Sequence, residues 1–494
     1  MKSQVFSCEK EGITSSAVKS FLMALDKDAN EFHTVVIYRH NNLVAKASWH
    51  PFDGKHVQNI HSSSKSFTST AIGLLYDAKK LQLDDKVMSY FEEYEFPMAN
   101  EYLETLTIRN LLTMSVGQEF EAYHSHNDWV TSTLGTTITT EPGTKFFYNS
   151  GASYILSAIV TKITGISSLE FLRENLFKPL DFSENYWLVA SNDTTDGGGG
   201  LHINVDDFAK LGLLYLNKGV YNGKRIISEE WCNLATSLQI ETAPAGYTGS
   251  ENMQGYGFQF WRCTHNGFRA SGKFGQVCVV LPDQDMVLAV QSSSTGSQVF
   301  LDHIWKHLFP GLYKQPLKEN IESNEDLSDY ISTLKVNVKE GETDSRLETF
   351  LDKKTLNFDV NPYGFETISF NFDETIQITI KQQNDDYSIN CGRNKWNLDE
   401  DDFSNLCLWE RNAHWISYPL DYQKPTTYSY ATWLHQNVLW ITQRTLNAAT
   451  LTVWQLEIDG CYVKVMNLTK NLYGSFYDIA LGAILDHPCT KLSK

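Results

Sequence analysis

The sequence predicts an α+β fold followed by a second, all-β domain, and three features carry that prediction. Residues 32–52 hold two short β-rich runs around His40, Asn41 and Asn42. Residues 258–292 return to strand pattern after a helical middle, and from about residue 335 short alternating segments recur to the end. Strands at both ends of a segment with helices between them describe one antiparallel sheet completed from its two termini and flanked by helices. The expected domains are 1–320 for the α+β part and 335–494 for a C-terminal antiparallel β-barrel or sandwich, lipocalin-like in the barrel case.

Each element follows from local pattern. The first two runs read as a hairpin at a sheet edge. Next, Phe67, Ile72, Leu75 and Tyr76 fall near the 3.6-residue period, so a helix is expected to begin around Ser62 to Lys65 and to end in the turn at Asp84 and Asp85. Further helices are expected over 108–114, 152–163 and 205–216, the last with Asn204 as its N-cap. Strand-like stretches follow at 258–263, 268–272, 277–282 and 286–292, separated by turns at 265–267 and 283–285. Residues 317–335 are polar and read as a linker with a short helix. Beyond them, 366–372, 375–380, 387–392, 436–444 and 450–458 alternate in the manner of a small barrel or sandwich. Trp396, Trp433, Trp440 and Trp454 in this part read as core filling more readily than as the lining of a ligand cavity.

Composition narrows the function. With 494 residues, 42% hydrophobic and 13% aromatic, the chain buries a large core. A formal net charge of −18 leaves no basic footprint for nucleic acid or an anionic membrane surface. No apolar leader follows Met1 and no run is long enough to span a bilayer, so neither secretion nor membrane insertion is expected. The eight cysteines, at 8, 232, 263, 278, 391, 407, 461 and 489, are dispersed without zinc spacing, as buried thiols of a cytoplasmic protein would be. His124 and His126 form the only metal-like fragment, and two histidines in a polar loop without a carboxylate or thiol partner read as solvent-facing. No metal or cofactor is expected.

Three short motifs carry chemistry. Ser62 and Lys65 match S-x-x-K, a three-residue step that puts hydroxyl and amine on one helix face, beside backbone N–H groups free to meet an oxyanion. Tyr148, Asn149 and Ser150 form a Tyr-x-Ser motif just before a helix. Ala270, Ser271 and Gly272 form a small-residue triplet on a strand expected to line the site, followed by Lys273. The glycine run at 197–200 lacks the Gly-Lys-Ser/Thr of a phosphate loop and reads instead as a flexible or closely approached wall. His61, beside the nucleophile candidate, reads as packing elsewhere.

Taken in that order, the motifs resemble the penicillin-binding proteins, class C β-lactamases and related esterases and peptidases, and the blocks 60–75, 107–117, 142–165, 197–231 and 267–276 extend the resemblance over about residues 30 to 310. The resemblance implies a β-lactamase/transpeptidase-like domain in which Ser62 attacks a carbonyl, Lys65 shares or accepts its proton, and Tyr148 is the second general acid or base. It implies an oxyanion hole from the N–H of Ser62 and one near Lys273, with Asn149, Ser150, Ala270, Ser271, Gly272 and Lys273 next to substrate. Two positions depart from the family pattern: the second motif ends in Ser150 where Asn is usual, and Ala270 stands where Lys or His is usual. Arg269 shares the strand face of Ser271.

The expected function is hydrolysis of a small-molecule ester, amide or peptide through an acyl-serine. A penicillin-binding D-alanyl peptidase or β-lactamase is the alternative within enzymes, and a non-catalytic binding protein on the same scaffold is the alternative outside them.

Overall fold

In β1 (Glu31–Arg39) every residue after Glu31 is buried, so the strand is packed on both faces, as a central strand is. The computed structural model describes residues 6–483 apart from 97–99, 123–127, 191–193, 247–248, 362–363, 383–384, 400–425, 450, 461, 469, 472–473 and 476–478. β2 (Asn42–Ser48), β3 (Trp261–Arg262), β4 (Phe268–Gly272), β5 (Gln276–Leu281) and β6 (Met286–Ser293) complete a six-stranded sheet in the order β2-β1-β6-β5-β4-β3. All its pairings are antiparallel. The register places Val35 opposite Val290 and Ala270 opposite Cys278, so the two ends of the segment do close one sheet.

Helices cover both faces. α1 (Ser15–Asp26) carries Phe21, whose ring meets Phe300 of a later helix at 5.8 Å. α2 (Ser64–Asp77) is buried from Ser64 through Gly73. A helix buried all round that must also approach its neighbours closely is built from small residues, here Ser64, Ser66, Thr68, Ser69, Thr70 and Ala71. Most of their hydroxyls are satisfied inside: Ser66 Oγ donates to Gln259 O at 2.7 Å, Thr70 Oγ1 to Ser66 O at 2.8 Å. α3 (Ser150–Thr164) packs on α2, and α4 (Val205–Leu216) packs on β5 and β6. Asn204 Oδ1 accepts from Asp207 N at 2.8 Å, the N-cap expected from the sequence.

The chain divides into one unit ending at Lys335 and another beginning at Val336. α5 (Ser297–His303) and α6 (Ile321–Thr333) close the first. The stretch expected as a linker with a short helix is mostly helix, and α6 is fastened along α1: Ser15 Oγ donates to Ser323 Oγ at 2.7 Å, Lys19 pairs with Asp326 at 2.6 Å, and Tyr330 donates to Asp26 at 3.0 Å. Among the described residues no single helix is long and apolar enough to cross a membrane.

The second unit is a nearly closed barrel. Its strands are β7 (Thr355–Phe358), β8 (Phe365–Phe372), β9 (Thr375–Gln382), β10 (Asp385–Arg393), β11 (Asn397–Asp399), β12 (Thr427–His435), β13 (Val438–Thr445), β14 (Leu451–Asp459), β15 (Tyr462–Asn467) and β16 (Ile479–Ala483). They run in the order β10-β9-β8-β7-β16-β15-β14-β13-β12-β11, and a short parallel pairing of β10 with β12, Gly392 opposite Tyr430, closes the ring. Alternation directs one face inward: Ile376, Ile378 and Ile380 of β9 are buried while the residues between are not. Trp433 and Trp454 sit in this core, whereas Trp396 and Trp440 are half-buried.

A chain ending after Lys335 is expected to keep the melting temperature of the first unit. A chain ending at residue 320 loses α6 and its bonds to α1, and is expected to melt lower by several degrees, about 2–4 °C for each kcal/mol lost. Differential scanning calorimetry of the two truncations checks this; equal midpoints would contradict the assignment of α6 to the first unit.

Candidate active site

The sequence Ser62-Ser63-Ser64 forms the hinge of the site because its three hydroxyls diverge. A 3-10 turn, His61–Ser63, precedes α2, so Ser62 lies in that turn just ahead of the helix and not in its first turn. Ser63 Oγ donates to Gln276 O on β5 at 2.9 Å. Ser64 Oγ donates to His61 O at 2.6 Å and accepts from Leu201 N at 3.1 Å. The turn is thus fastened to the sheet on one side and to the segment after the glycine run on the other, and Ser62, half-buried, is the serine left unused by the scaffold.

Lys65 is 1% exposed. Its Nζ donates to Ser62 Oγ at 3.2 Å, to Ser150 Oγ at 3.1 Å and to the carbonyl of Gly198. Three donors meet three acceptors, from α2's approach, the start of α3 and the glycine run. The Tyr148 ring lies 5.0 Å from the same nitrogen, at a distance suited to a cation–π contact, and is held from behind by Trp261 stacked at 5.8 Å. Its hydroxyl has no hydrogen-bond partner among the described residues, so it is free to take part in proton transfer.

The glycine run is the participant that sequence reasoning placed only as a wall. Gly197 has φ +70°, and a Cβ there would lie 2.6 Å from Ser157 Cβ; one on Gly198 would lie 3.0 Å from Ser150 O. Thr68 Oγ1 donates to Gly197 O at 2.7 Å, which ties the run to α2. Only residues without side chains bring the Gly198 carbonyl to the buried amine. A glycine cluster following an S-x-x-K helix was the available signal, but a backbone acceptor has no residue type of its own.

The third motif forms the opposite wall. β3 pairs with β4 only at Arg269 and Phe268, which leaves 270–272 as an open edge. Gly272 is where strand and nucleophile turn touch: a Cβ there would lie 2.2 Å from Ile60 O and 3.1 Å from Ser63 N. Ser271 is half-buried on that edge, while Ala270 turns into the core at 2% exposure.

The Beta-lactamase family model matches residues 29–309, more than half of the chain. The chain belongs to the β-lactamase family. Among its relatives, a 6-aminohexanoate-dimer hydrolase of Paenarthrobacter ureafaciens is 26% identical over 270 residues, 49% of this chain and 67% of that protein. The chain spans about two thirds of the length of the curated relatives it matches. A Bacillus anthracis structure provisionally named as a 6-aminohexanoate-dimer hydrolase superposes with a TM-score of 0.51 at 20% identity, over 62% of this chain and 85% of that one. EstCE1, a hydrolase with promiscuous acyltransferase activity, gives 0.50 at 15% identity over 59% of this chain and 98% of its own. The named relatives are hydrolases of the serine β-lactamase fold.

Within this β-lactamase-family site, not all the expected residues meet. Ser62, Lys65, Tyr148 and Ser150 come together, with Ser271 and Gly272 on the facing edge. Asn149 does not join them: it is 2% exposed, and its Nδ2 donates to Gln118 Oε1 at 2.7 Å, so its amide braces the loop before α3 instead of opening to substrate. Ala270 likewise faces the core. Arg269 shares a face with Ser271 yet is fully buried, its guanidinium held by Asn252 Oδ1 at 2.6 Å, Arg262 O at 2.9 Å and Cys263 Sγ at 3.1 Å. It is committed to the loop at 251–263 and offers no charge to a ligand. Glu121, which the sequence reading passed over, accepts a hydrogen bond from Ser150 N and places an exposed carboxylate at the rim. His124 and His126 lie outside the described residues; among those described, no group of three or more His, Cys, Asp or Glu is arranged to hold a metal.

His61 packs beside the site, not away from it. Its ring meets Phe274 edge-on at 5.3 Å, and both residues have left-handed backbones, φ 49° and 59°. Burial, and after it the Lys273 charge, push the His61 imidazole from 6.5 down to about 4. Between those values the unfolded chain takes up a proton that the folded chain refuses. The stability linked to His61 is therefore complete above pH 6.5 and lost as pH falls toward 4. Asn tolerates left-handed φ and does not titrate. His61→Asn is expected to flatten the fall of the urea midpoint between pH 6.5 and 4.5, leaving the part due to His202, which burial pushes down to about 3. An unchanged slope would contradict this assignment.

Proposed function

We propose that the protein is a serine hydrolase that cleaves an ester or amide through an acyl-enzyme on Ser62, with Lys65 and Tyr148 moving the proton. The observation that carries this reading is the Lys65 Nζ, buried and 3.2 Å from Ser62 Oγ. A serine hydroxyl is a weak nucleophile until a positioned base takes its proton. As Ser62 Oγ bonds to the substrate carbonyl carbon, its proton passes to Lys65 acting as the neutral amine, or, with Lys65 as the ammonium relay, to Tyr148 acting as the phenolate, so that one member of the pair starts the step deprotonated. The carbonyl oxygen becomes an oxyanion, for which the N–H groups of Ser62 and Lys273 are the proposed donors. Collapse breaks the bond to the leaving group, which takes the proton back, and water repeats the sequence to release the acid. Ser150, the second acceptor of the amine, is a positioning residue that aims Lys65 at Ser62.

The scaffold alternative needs no such arrangement of hydroxyl, buried amine and free phenol. The five described cysteines, at 8, 232, 263, 278 and 391, are all buried free thiols, which supports a reducing, cytoplasmic setting. The names of the relatives support small acyl compounds as the substrate class.

Replacing Lys65 by Ala, or Tyr148 by Phe, is expected to lower the acylation rate on a short nitrophenyl ester by about 10²-fold or more, and Ser62→Ala to abolish turnover. Wild-type rates in both base variants would assign the proton transfer to other residues. With Ala270 in the core and Arg269 committed elsewhere, neither the first position of the third motif nor its neighbour offers a cation to a substrate carboxylate. A neutral short ester is therefore expected to have a larger kcat/KM than a chromogenic cephalosporin, and the reverse order would favour the β-lactamase or D-alanyl peptidase reading.

A further inference from the structure

Tyr148 is backed by a chain of ring and cation contacts. Its ring, 5.0 Å from Lys65 Nζ, is stacked on the Trp261 ring at 5.8 Å with an interplanar angle of 20°. The Arg269 guanidinium lies over the same indole, 5.6 Å from its centroid. Trp261 and Arg269 stand directly opposite each other across β3 and β4, the placement that lets two side chains of neighbouring strands interact. Phe146 and Tyr256, both buried, meet the indole at 5.7 Å and 5.1 Å with interplanar angles of 67° and 84°.

Arg269 is a costly residue to hold there. It is fully buried, and its four acceptors are neutral: Asn252 Oδ1 at 2.6 Å, Arg262 O at 2.9 Å, Cys263 Sγ at 3.1 Å and Glu251 O at 3.2 Å. Burial pushes the Cys263 thiol above its ordinary value, which keeps it uncharged. The Glu251 carboxylate is taken up by Thr264 and Trp305. A guanidinium withdrawn from water without a counter-charge destabilises a fold unless something else in the interior meets its charge. The indole face does so, because an aromatic face attracts a cation more strongly when both are desolvated. At the other end of the chain, the Tyr148 hydroxyl has no hydrogen-bond partner among the described residues, so no bond at its tip orients the phenol. The ring contacts alone set its plane, and the stacked indole is the largest of them.

We propose that Arg269 and Trp261 are positioning residues of the reaction: the buried guanidinium fixes the indole, and the indole fixes the Tyr148 ring so that its hydroxyl meets the proton path from Ser62. The inference rests on the role proposed for Tyr148. Both residues are buried and act through Tyr148, so their loss is expected to tell on turnover and not on the capture of substrate.

Steady-state kinetics of the full chain on a short nitrophenyl ester, with and without Tyr148→Phe in the same chain, tests it. Trp261→Leu is expected to lower kcat about tenfold or more and Arg269→Met several-fold, with KM within about twofold of wild type. Arg269→Lys keeps a cation for the indole and is expected to recover part of the Arg269→Met loss. In chains that already carry Tyr148→Phe, neither Trp261→Leu nor Arg269→Met is expected to slow the residual turnover further, because no hydroxyl is left to place. A folded Trp261→Leu chain with wild-type kcat overturns the proposal. So does an equal loss in both backgrounds, the mark of a merely structural role, or an Arg269→Lys chain no faster than Arg269→Met. Circular dichroism checks each fold; if the Arg269 variants misfold, Trp261→Leu in the two backgrounds decides. Tyr148→Phe alone as fast as wild type contradicts the proton path itself and this inference with it, whereas a slow Tyr148→Phe beside a fast Trp261→Leu contradicts this inference alone.

Discussion

A primary amine withdrawn from water must find its hydrogen bonds inside the protein, and the first unit is arranged around that requirement at Lys65. Its three oxygen partners come from three places in the chain: the turn before α2, the first residue of α3 and the carbonyl of Gly198. Each partner fixes a part of the fold. Ser150 needs α3 to begin where it does, against α2; Gly198 needs a backbone stripped of side chains to pass between Ser150 and Asp196. The buried amine is thereby both the centre of the chemistry and the constraint on the packing.

The rest of the site relays that constraint outward. Ser63 and Ser64 fasten the nucleophile turn to β5 and to Leu201, so that Ser62 is held with its hydroxyl toward Lys65. Gly272 lets the edge of β4 come against Ile60, bringing the candidate oxyanion donors to the same side. Tyr148 is clamped between Lys65 and Trp261, itself on the last strand of the sheet. Pre-set geometry of this kind lets charge develop on a substrate without the protein rearranging at the moment of reaction.

Local chemistry was legible in the sequence, and long-range pairing was not. The helix at 205–216 with its Asn204 cap, the S-x-x-K step and the strands around Ala270 to Gly272 are written in neighbouring residues, and the structure has them there. The inward turn of Asn149 depends on Gln118, 31 positions earlier, and the fastening of α6 on Lys19 and Asp326, 307 positions apart. Neither spacing leaves a periodic mark. Arg269 obeyed strand alternation and shared the face of Ser271, yet its guanidinium was claimed by Asn252 and Cys263, partners that no alternation rule names. Closure of the barrel by a parallel contact between β10 and β12 is likewise a property of strand order, which alternation alone does not encode.

The central claim is that of three adjacent serines only Ser62 is free to react, because the other two are spent on the scaffold. Treating the full chain with a fluorophosphonate and mapping the adduct by peptide mass spectrometry tests it directly. The account predicts one adduct per chain, on Ser62, with Ser63 and Ser64 unmodified. No adduct, or one carried by Ser63, Ser64 or a serine outside the site, would contradict it.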